Sequence, residues 1–186
     1  LKETLRRAAQ TLASQNIEEP HLEAELLLRH ALGLSKEQLY LRLEEEIDPK
    51  EARDFTVLVE RRLRREPTAY ITGHREFFGL DLYVDERVLI PRPETELLVE
   101  KAIELGKVLP PLLIAEVGTG SGAIAIALAA HLPQAKIYAL DLSPQALEVA
   151  AINRRQHGAT GQMTLLQGDM LAPLPEPVDL IVANLP

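Results

Sequence analysis

Apolar side chains in the first third of the chain recur at helical spacing. Leu1, Leu5, Ala8, Ala9 and Leu12 share one face and end in Ser14-Gln15-Asn16, which predicts a first helix. Pro20 opens a second, which runs over 22–32 and stops at Gly33, a residue suited to the position after a helix end. Ser35 with Gln38 has the spacing of a capping box and starts a short third helix. Asp48-Pro49-Lys50-Glu51 starts a fourth, which runs to about Arg65, before Pro67. Four amphipathic helices with short connections predict a small bundle over residues 1–67.

The period then changes. Residues 68–73 have turn chemistry, and two short strands, 75–78 and 80–84, flank Gly79. Residues 68–90 are therefore expected to form a loop and β-hairpin linker. A helix over about 93–105 follows, with Pro93 in its first turn. From residue 112 on, strands and helices alternate. A near-continuous apolar strand ends at Glu116-Val117, and the glycines Gly118, Gly120 and Gly122 lead into a helix over 123–131. Lys136 begins a strand that ends at Asp141; Ser143-Pro144 caps and opens a helix ending near Gly158. A third strand runs from Met163 to Gly168-Asp169, and a fourth over 178–183 ends at Asn184. The alternation predicts an α/β domain over 91–186, a Rossmann-like open parallel sheet. Such a sheet needs more strands than follow the glycines, so the sequence is expected to continue beyond Pro186.

Composition narrows the chemistry. Hydrophobic residues make up 46% and aromatics only 4%, so Leu, Val, Ile and Ala must fill the core. There is no cysteine, which excludes disulfides, thiolate zinc sites and a cysteine nucleophile, and fits a cytoplasmic setting. No apolar run approaches the roughly 18 residues of a membrane span, and the opening residues do not have the shape of a signal peptide. The net charge of −8 argues against non-specific nucleic-acid binding. It is unevenly spread: residues 1–75 carry 13 basic and 14 acidic side chains, and residues 76–186 carry 7 and 14. Arg61-Arg62-Leu63-Arg64-Arg65 reads as a solvated helix face or, more sharply, as a docking patch for an acidic or ribosome-associated partner. The five histidines are scattered and have no metal-ligand spacing.

The ends of four successive strands carry Glu116 with the glycines, Asp141, Asp169 and Asn184, and a parallel sheet brings such ends to one crevice. The glycines alone leave the ligand open. Gly118-x-Gly120-x-x-Ala123 satisfies a dinucleotide pattern, and Asp141 lies where a ribose-binding acid of an NAD enzyme would fall. Glu116 discriminates: a carboxylate there would repel a diphosphate and suits a cofactor with a cationic end.

On Glu116-Val-Gly-Thr-Gly-Ser-Gly122, Asp141 and Gly168-Asp169, the chain resembles the class I S-adenosyl-L-methionine-dependent methyltransferases. That resemblance implies cofactor contacts from Glu116, Gly118, Thr119, Gly120, Ser121, Gly122, Asp141, Leu142, Asp169, Met170 and Asn184. Asn184-Leu185-Pro186 is similar to the start of an Asn-Pro-Pro-Tyr motif. With Tyr70-Ile-Thr-Gly73, Glu76-Phe-Phe-Gly79 and Ile90-Pro-Arg-Pro-Glu-Thr-Glu96, it resembles the PrmC/HemK family of protein-(glutamine-N5) methyltransferases. The resemblance spans nearly the whole chain. It implies methylation of the glutamine in the Gly-Gly-Gln motif of class 1 peptide chain release factors by a cytoplasmic monomer that requires no nucleic acid, membrane or metal. Asn184 would be the catalytic residue, and Asn184, Leu185, Pro186, Arg92 and Phe77 would bind the substrate. Leu185 departs from the family's proline but keeps the carbonyl that would accept a substrate N–H. Phe77 and Phe78 suit a hairpin core as well as a site wall. Two other readings stay open: methylation of an exocyclic amine such as adenine N6 in nucleic acid, and a non-catalytic protein-binding module.

Overall fold

The structure, a computed structural model, describes residues 1–108 and 112–185. The chain divides into two compact units, Leu1–Thr72 and Gly73–Pro186. No helix among the described residues is long and apolar enough to cross a membrane.

The first unit is helical: α1 (Lys2–Ser14), α2 (Pro20–Leu32), α3 (Lys36–Leu41), α4 (Pro49–Leu63) and α5 (Thr68–Thr72). Both predicted caps are formed. Ser35 Oγ accepts from the Gln38 N–H and Gln38 Oε1 from the Ser35 N–H, at 3.2 and 2.8 Å. Asp48 Oδ1 accepts from the Lys50 N–H at 2.7 Å. Leu12, Leu27, Leu28, Leu39, Phe55 and Ile71 bring all five helices to one core.

Helix α5 stands where turn chemistry predicts a loop. Its β-branched sequence is a weak helix former, and tertiary contacts decide the outcome. Ile71 is buried in the bundle core, and Thr68 Oγ1 donates to Glu23 of α2, which also takes the Arg62 guanidinium at 2.8 Å. The arginine run is spent in the same way. Arg61 bonds Glu66, Arg64 lies 4.0 Å from Glu60, and Arg65 donates to the Gln15 carbonyl at 2.7 Å. Each of the four arginines thus has a partner inside the unit, which for Arg65 is an uncharged carbonyl.

The second unit holds a hairpin, β1 (His74–Phe77) and β2 (Leu80–Tyr83), and a parallel sheet of β3 (Leu113–Val117), β4 (Lys136–Asp141), β5 (Met163–Gln167) and β6 (Leu180–Ala183) in the order β5-β4-β3-β6. Helices α6 (Glu96–Gly106), α7 (Ala123–His131) and α8 (Pro144–Gln156) complete it, with a 3₁₀ turn over Pro93–Thr95 before α6. Alternation along the strands sorts two clusters. Ile114, Ile137, Ala139, Met163 and Val182 join the large core shared with the three helices. Ala115, Tyr138 and Leu140 face the other way and pack with Leu174 and Val178. Helix α7 is buried from Ala123 through Ala129, which is why its sequence is apolar all round.

The hairpin, expected as part of a linker, packs into this core through Phe77 (1% exposed) and Leu82. Residues 68–90 thus divide between the units, with α5 in the first and the hairpin in the second. The hairpin reverses through Phe78 and Gly79, whose φ values of 52° and 74° match the turns that fit strand twist. A phenylalanine at positive φ is strained. Glu96 Oε1 secures it by accepting from the Phe78 N–H at 2.9 Å, and the Phe78 ring meets His131 edge-on at 5.1 Å.

Asn153 of α8 is fully buried, although its place in a helix interior gives no hint of this in the sequence. Its Oδ1 accepts from the Tyr83 N–H at 2.8 Å, and its Nδ2 donates to the carbonyls of Tyr83 and Ser121, each at 2.9 Å. One side chain therefore ties the hairpin, the glycine loop and α8 together. Asn153→Ala leaves these three backbone groups without partners and is expected to destabilise the α/β unit by about 2 kcal/mol, measured by urea unfolding.

Candidate active site

The apolar run of β3 ends at Val117, and the chain then turns with φ of 71°, 54° and 82° at Gly118, Gly120 and Gly122. The Thr119 N–H reaches the Leu140 carbonyl at 2.9 Å and pins the loop to the end of β4. A Cβ on Gly120 would meet nothing within 4 Å, because the space there is the open cavity that Gly120 lines. A Cβ on Gly118 would fall 2.7 Å from Leu185 Cδ2, so Leu185 closes directly over that glycine. Gly122 lines neither cavity of the site and forms the N-cap of α7, packed against Ile126, Met163 and Ala150.

Two adjoining cavities meet at this edge of the sheet. The larger, about 360 Å³, is bordered by Gly118, Gly120, Asp141, Leu142, Asp169 and Met170. Asp141 holds the turns on either side of it: Oδ2 accepts from the Gly120 N–H at 2.8 Å and Oδ1 from the Ser143 N–H at 2.9 Å. Each oxygen keeps a further lone pair for a ligand hydroxyl. Leu142 and Met170 are 70% and 51% exposed, large apolar groups left uncovered at a cavity rim, and Asp169 lies exposed beside them. On another side, Arg87, Val88 and Leu89 border the same space. Arg87 is clamped there by Asp85 at 2.6 Å and Glu148 at 2.8 Å.

The smaller cavity, about 60 Å³, is lined by Glu116, Thr119, Ser121, Phe77, Arg92 and Asn184. Glu116 is 1% exposed. Its Oε2 accepts from Thr119 Oγ1 at 2.6 Å and from the Ala125 N–H at 3.0 Å, bonds that favour the ionised form. Burial outweighs them and pushes its carboxyl up to about 8, so the group is largely protonated at neutral pH. A cation placed against it would reverse that balance. Arg92 is exposed at this cavity and has no ion-pair partner among the described residues. Phe77 serves as both hairpin core and cavity wall.

Asn184 borders both cavities. Its Nδ2 donates to Thr95 Oγ1 at 3.0 Å, and its Oδ1 has no partner among the described residues. Leu185 borders the larger cavity, and Pro186 lies outside the described residues. The crevice predicted from the strand ends therefore gathers Glu116, Asp141, Asp169 and Asn184 around adjoining spaces. Sequence reasoning missed Thr95, Asn153 and the 87–89 segment. Thr95 was visible only as one letter of the Pro-Arg-Pro-Glu-Thr-Glu run.

Residues 3–73 match a family model described as the PrmC N-terminal domain, and residues 113–186 match one described as a methyltransferase domain. The chain is 47% identical over 187 residues to the release factor glutamine methyltransferase of Moorella thermoacetica, covering 100% of this chain and 66% of that protein. The protein of the same name from Chlorobaculum tepidum is 43% identical over 195 residues, covering 99% and 66%. That from Geobacter sulfurreducens is 42% identical over 176 residues, covering 94% and 61%. The chain thus spans just under two thirds of the length of these curated relatives. With the glycine loop after β3, the β5-β4-β3-β6 order and a helical first unit, the α/β unit has the fold of a class I, Rossmann-like methyltransferase domain. The chain belongs to the release factor glutamine methyltransferase family.

Proposed function

We propose that the protein is an S-adenosyl-L-methionine-dependent methyltransferase that modifies N5 of the glutamine in the Gly-Gly-Gln motif of class 1 peptide chain release factors. It would act in the cytoplasm as a monomer, without nucleic acid. The site's donor set fits the cofactor. Glu116 suits an ammonium or sulfonium end, and the spare lone pairs of Asp141 suit ribose hydroxyls. Leu142 and Met170 offer apolar surface to an adenine, and the cavity of about 360 Å³ lies in the range of small-ligand sites. When bound, the cofactor supplies an electrophilic methyl carbon on its sulfonium.

The observation that carries the reading is Asn184, which stands at the junction of the two cavities with its acceptor oxygen unengaged. An amide nitrogen is a poor nucleophile because its lone pair is delocalised into the carbonyl. Asn184 Oδ1 and the Leu185 carbonyl would each accept one N–H of the substrate amide, fixing its plane and aiming the nitrogen lone pair. Positioning and electrostatics would then supply the rate, with no covalent nucleophile. Adenine N6 is also a planar amine. The net charge of −8, however, disfavours a polyanionic substrate.

Labelled methyl groups should pass from the cofactor to a purified class 1 release factor, and not to the same factor with its Gly-Gly-Gln glutamine replaced by alanine. Labelling of DNA or RNA alone would overturn the proposal. Calorimetry without detectable cofactor binding would leave a protein-binding module in its place.

A further inference from the structure

We infer that Thr95 is a positioning residue, whose hydroxyl holds the Asn184 side-chain amide with its acceptor oxygen turned to the substrate. The inference rests on the methyl-transfer reading. It starts from an oddity at the start of α6. Thr95 occupies the N-cap position, where a threonine hydroxyl ordinarily accepts from a backbone N–H of the first turn. Here it makes no capping bond. The backbone at Thr95 is already helical, with φ −70° and ψ −18°, because the 3₁₀ turn over Pro93–Thr95 runs straight into α6. The hydroxyl is instead turned outward to accept from Asn184 Nδ2 at 3.0 Å, across 89 positions of sequence.

Asn184 needs such a hold. It follows the last residue of β6, is exposed, and has no other side-chain hydrogen bond among the described residues. An untethered asparagine amide turns freely and presents its NH₂ or its oxygen with similar ease. The two faces are not equivalent to a substrate that brings two N–H groups: the oxygen accepts, whereas the NH₂ sets donor against donor. With its nitrogen on Thr95, the amide has its oxygen left for the site.

Thr95 is itself held. Its N–H donates to the Arg92 carbonyl at 3.0 Å, and the adjacent Glu96 is locked to the Phe78 N–H at 2.9 Å. Residues 92–96 thus form a bracket: one side chain secures the hairpin turn, and its neighbour secures the proposed catalytic amide. This gives the last two letters of the Pro-Arg-Pro-Glu-Thr-Glu run, Thr95 and Glu96, a mechanical reason.

Two measurements test the inference. In steady-state methylation of a class 1 release factor, the near-isosteric Thr95→Val is expected to lower kcat about tenfold and leave the cofactor dissociation constant within about twofold. Thr95→Ser should restore most of the loss. In an Asn184→Ala background, Thr95→Val should have no further effect. The second measurement needs no activity: in protein labelled with ¹⁵N-asparagine, the Asn184 side-chain amide pair, assigned by its loss in Asn184→Ala, should shift in Thr95→Val and stay in place in Thr95→Ser. An amide pair indifferent to Thr95→Val would overturn the inference whatever the substrate proves to be. Wild-type kcat in Thr95→Val, or an equal loss in both backgrounds, would overturn it with the methyl-transfer reading intact. If the wild-type protein methylates no release factor, the labelled amide alone decides.

Discussion

Asn184→Ala is expected to lower the kcat of methyl transfer by about 10²-fold or more while the cofactor dissociation constant changes less than about threefold. The asymmetry follows from the position of the residue. The groups proposed to hold the cofactor, Glu116 and Asp141, have their own partners in Thr119, Ala125, Gly120 and Ser143, and none of these bonds passes through Asn184. Truncation therefore removes one acceptor from the junction of the cavities and leaves the nucleotide side standing. The lost acceptor matters most where the amide nitrogen acquires positive character and its N–H bonds become stronger donors, which is in the transition state. Single-turnover rates measured with saturating release factor, alongside calorimetry for the cofactor, separate the two effects. Turnover near that of the wild type would remove Asn184 from the mechanism.

The second large effect concerns pH. Folding buries Glu116 and raises its carboxyl from 4.5 to about 8, so over the range between these values the folded protein holds a proton that the unfolded chain has released. The stabilising contribution is complete below pH 4.5 and is lost as pH rises through 8. Unfolding free energy should accordingly fall by ~3 kcal/mol between pH 5 and 8, and Glu116→Gln should flatten that slope. Asp85, held down at about 2 mainly by the Arg87 guanidinium, changes state only in acid and does not enter this window. The same proton governs the ligand. A cationic cofactor end must displace it, so affinity should rise up to about tenfold per pH unit between 5.5 and 7, with one proton released on binding. Calorimetry in buffers of different ionisation enthalpy counts that proton. A wild-type affinity that is flat over this window would show that Glu116 does not ionise against the ligand.

The elements of the α/β unit were legible because each strand is bounded by a change of chemistry. The acid or asparagine ending β3, β4 and β6 marks the sheet edge, and the glycines and Ser143-Pro144 mark the starts of α7 and α8. Contacts made at long range were not legible. Helix α5 is decided by Glu23 and the bundle core, 45 positions away in the case of Thr68. The arginine run looks free until Glu23, Glu60, Glu66 and the Gln15 carbonyl are placed around it. Asn153 gives no signal in the sequence because a helix pattern does not reveal that the end of β2 and the glycine loop close over it. In the site, charge type identified Glu116 and Asp141, whereas Thr95 acts through a bond to a residue 89 positions later, which local pattern cannot carry.

The register of β6 has a consequence for when the site comes into being. Strand β6 pairs with β3 as Ile114 opposite Leu180 and Val117 opposite Ala183, after β4 and β5 have intervened in the chain. Closing so long a loop costs entropy that only completed pairing returns. The glycine loop and Asp141 sit on neighbouring strands and can be organised earlier, whereas Asn184 arrives only when β6 docks. An opening confined to β6 would detach the proposed catalytic amide and leave the nucleotide pocket in place. Amide exchange along 180–183 is therefore the clock of catalytic competence.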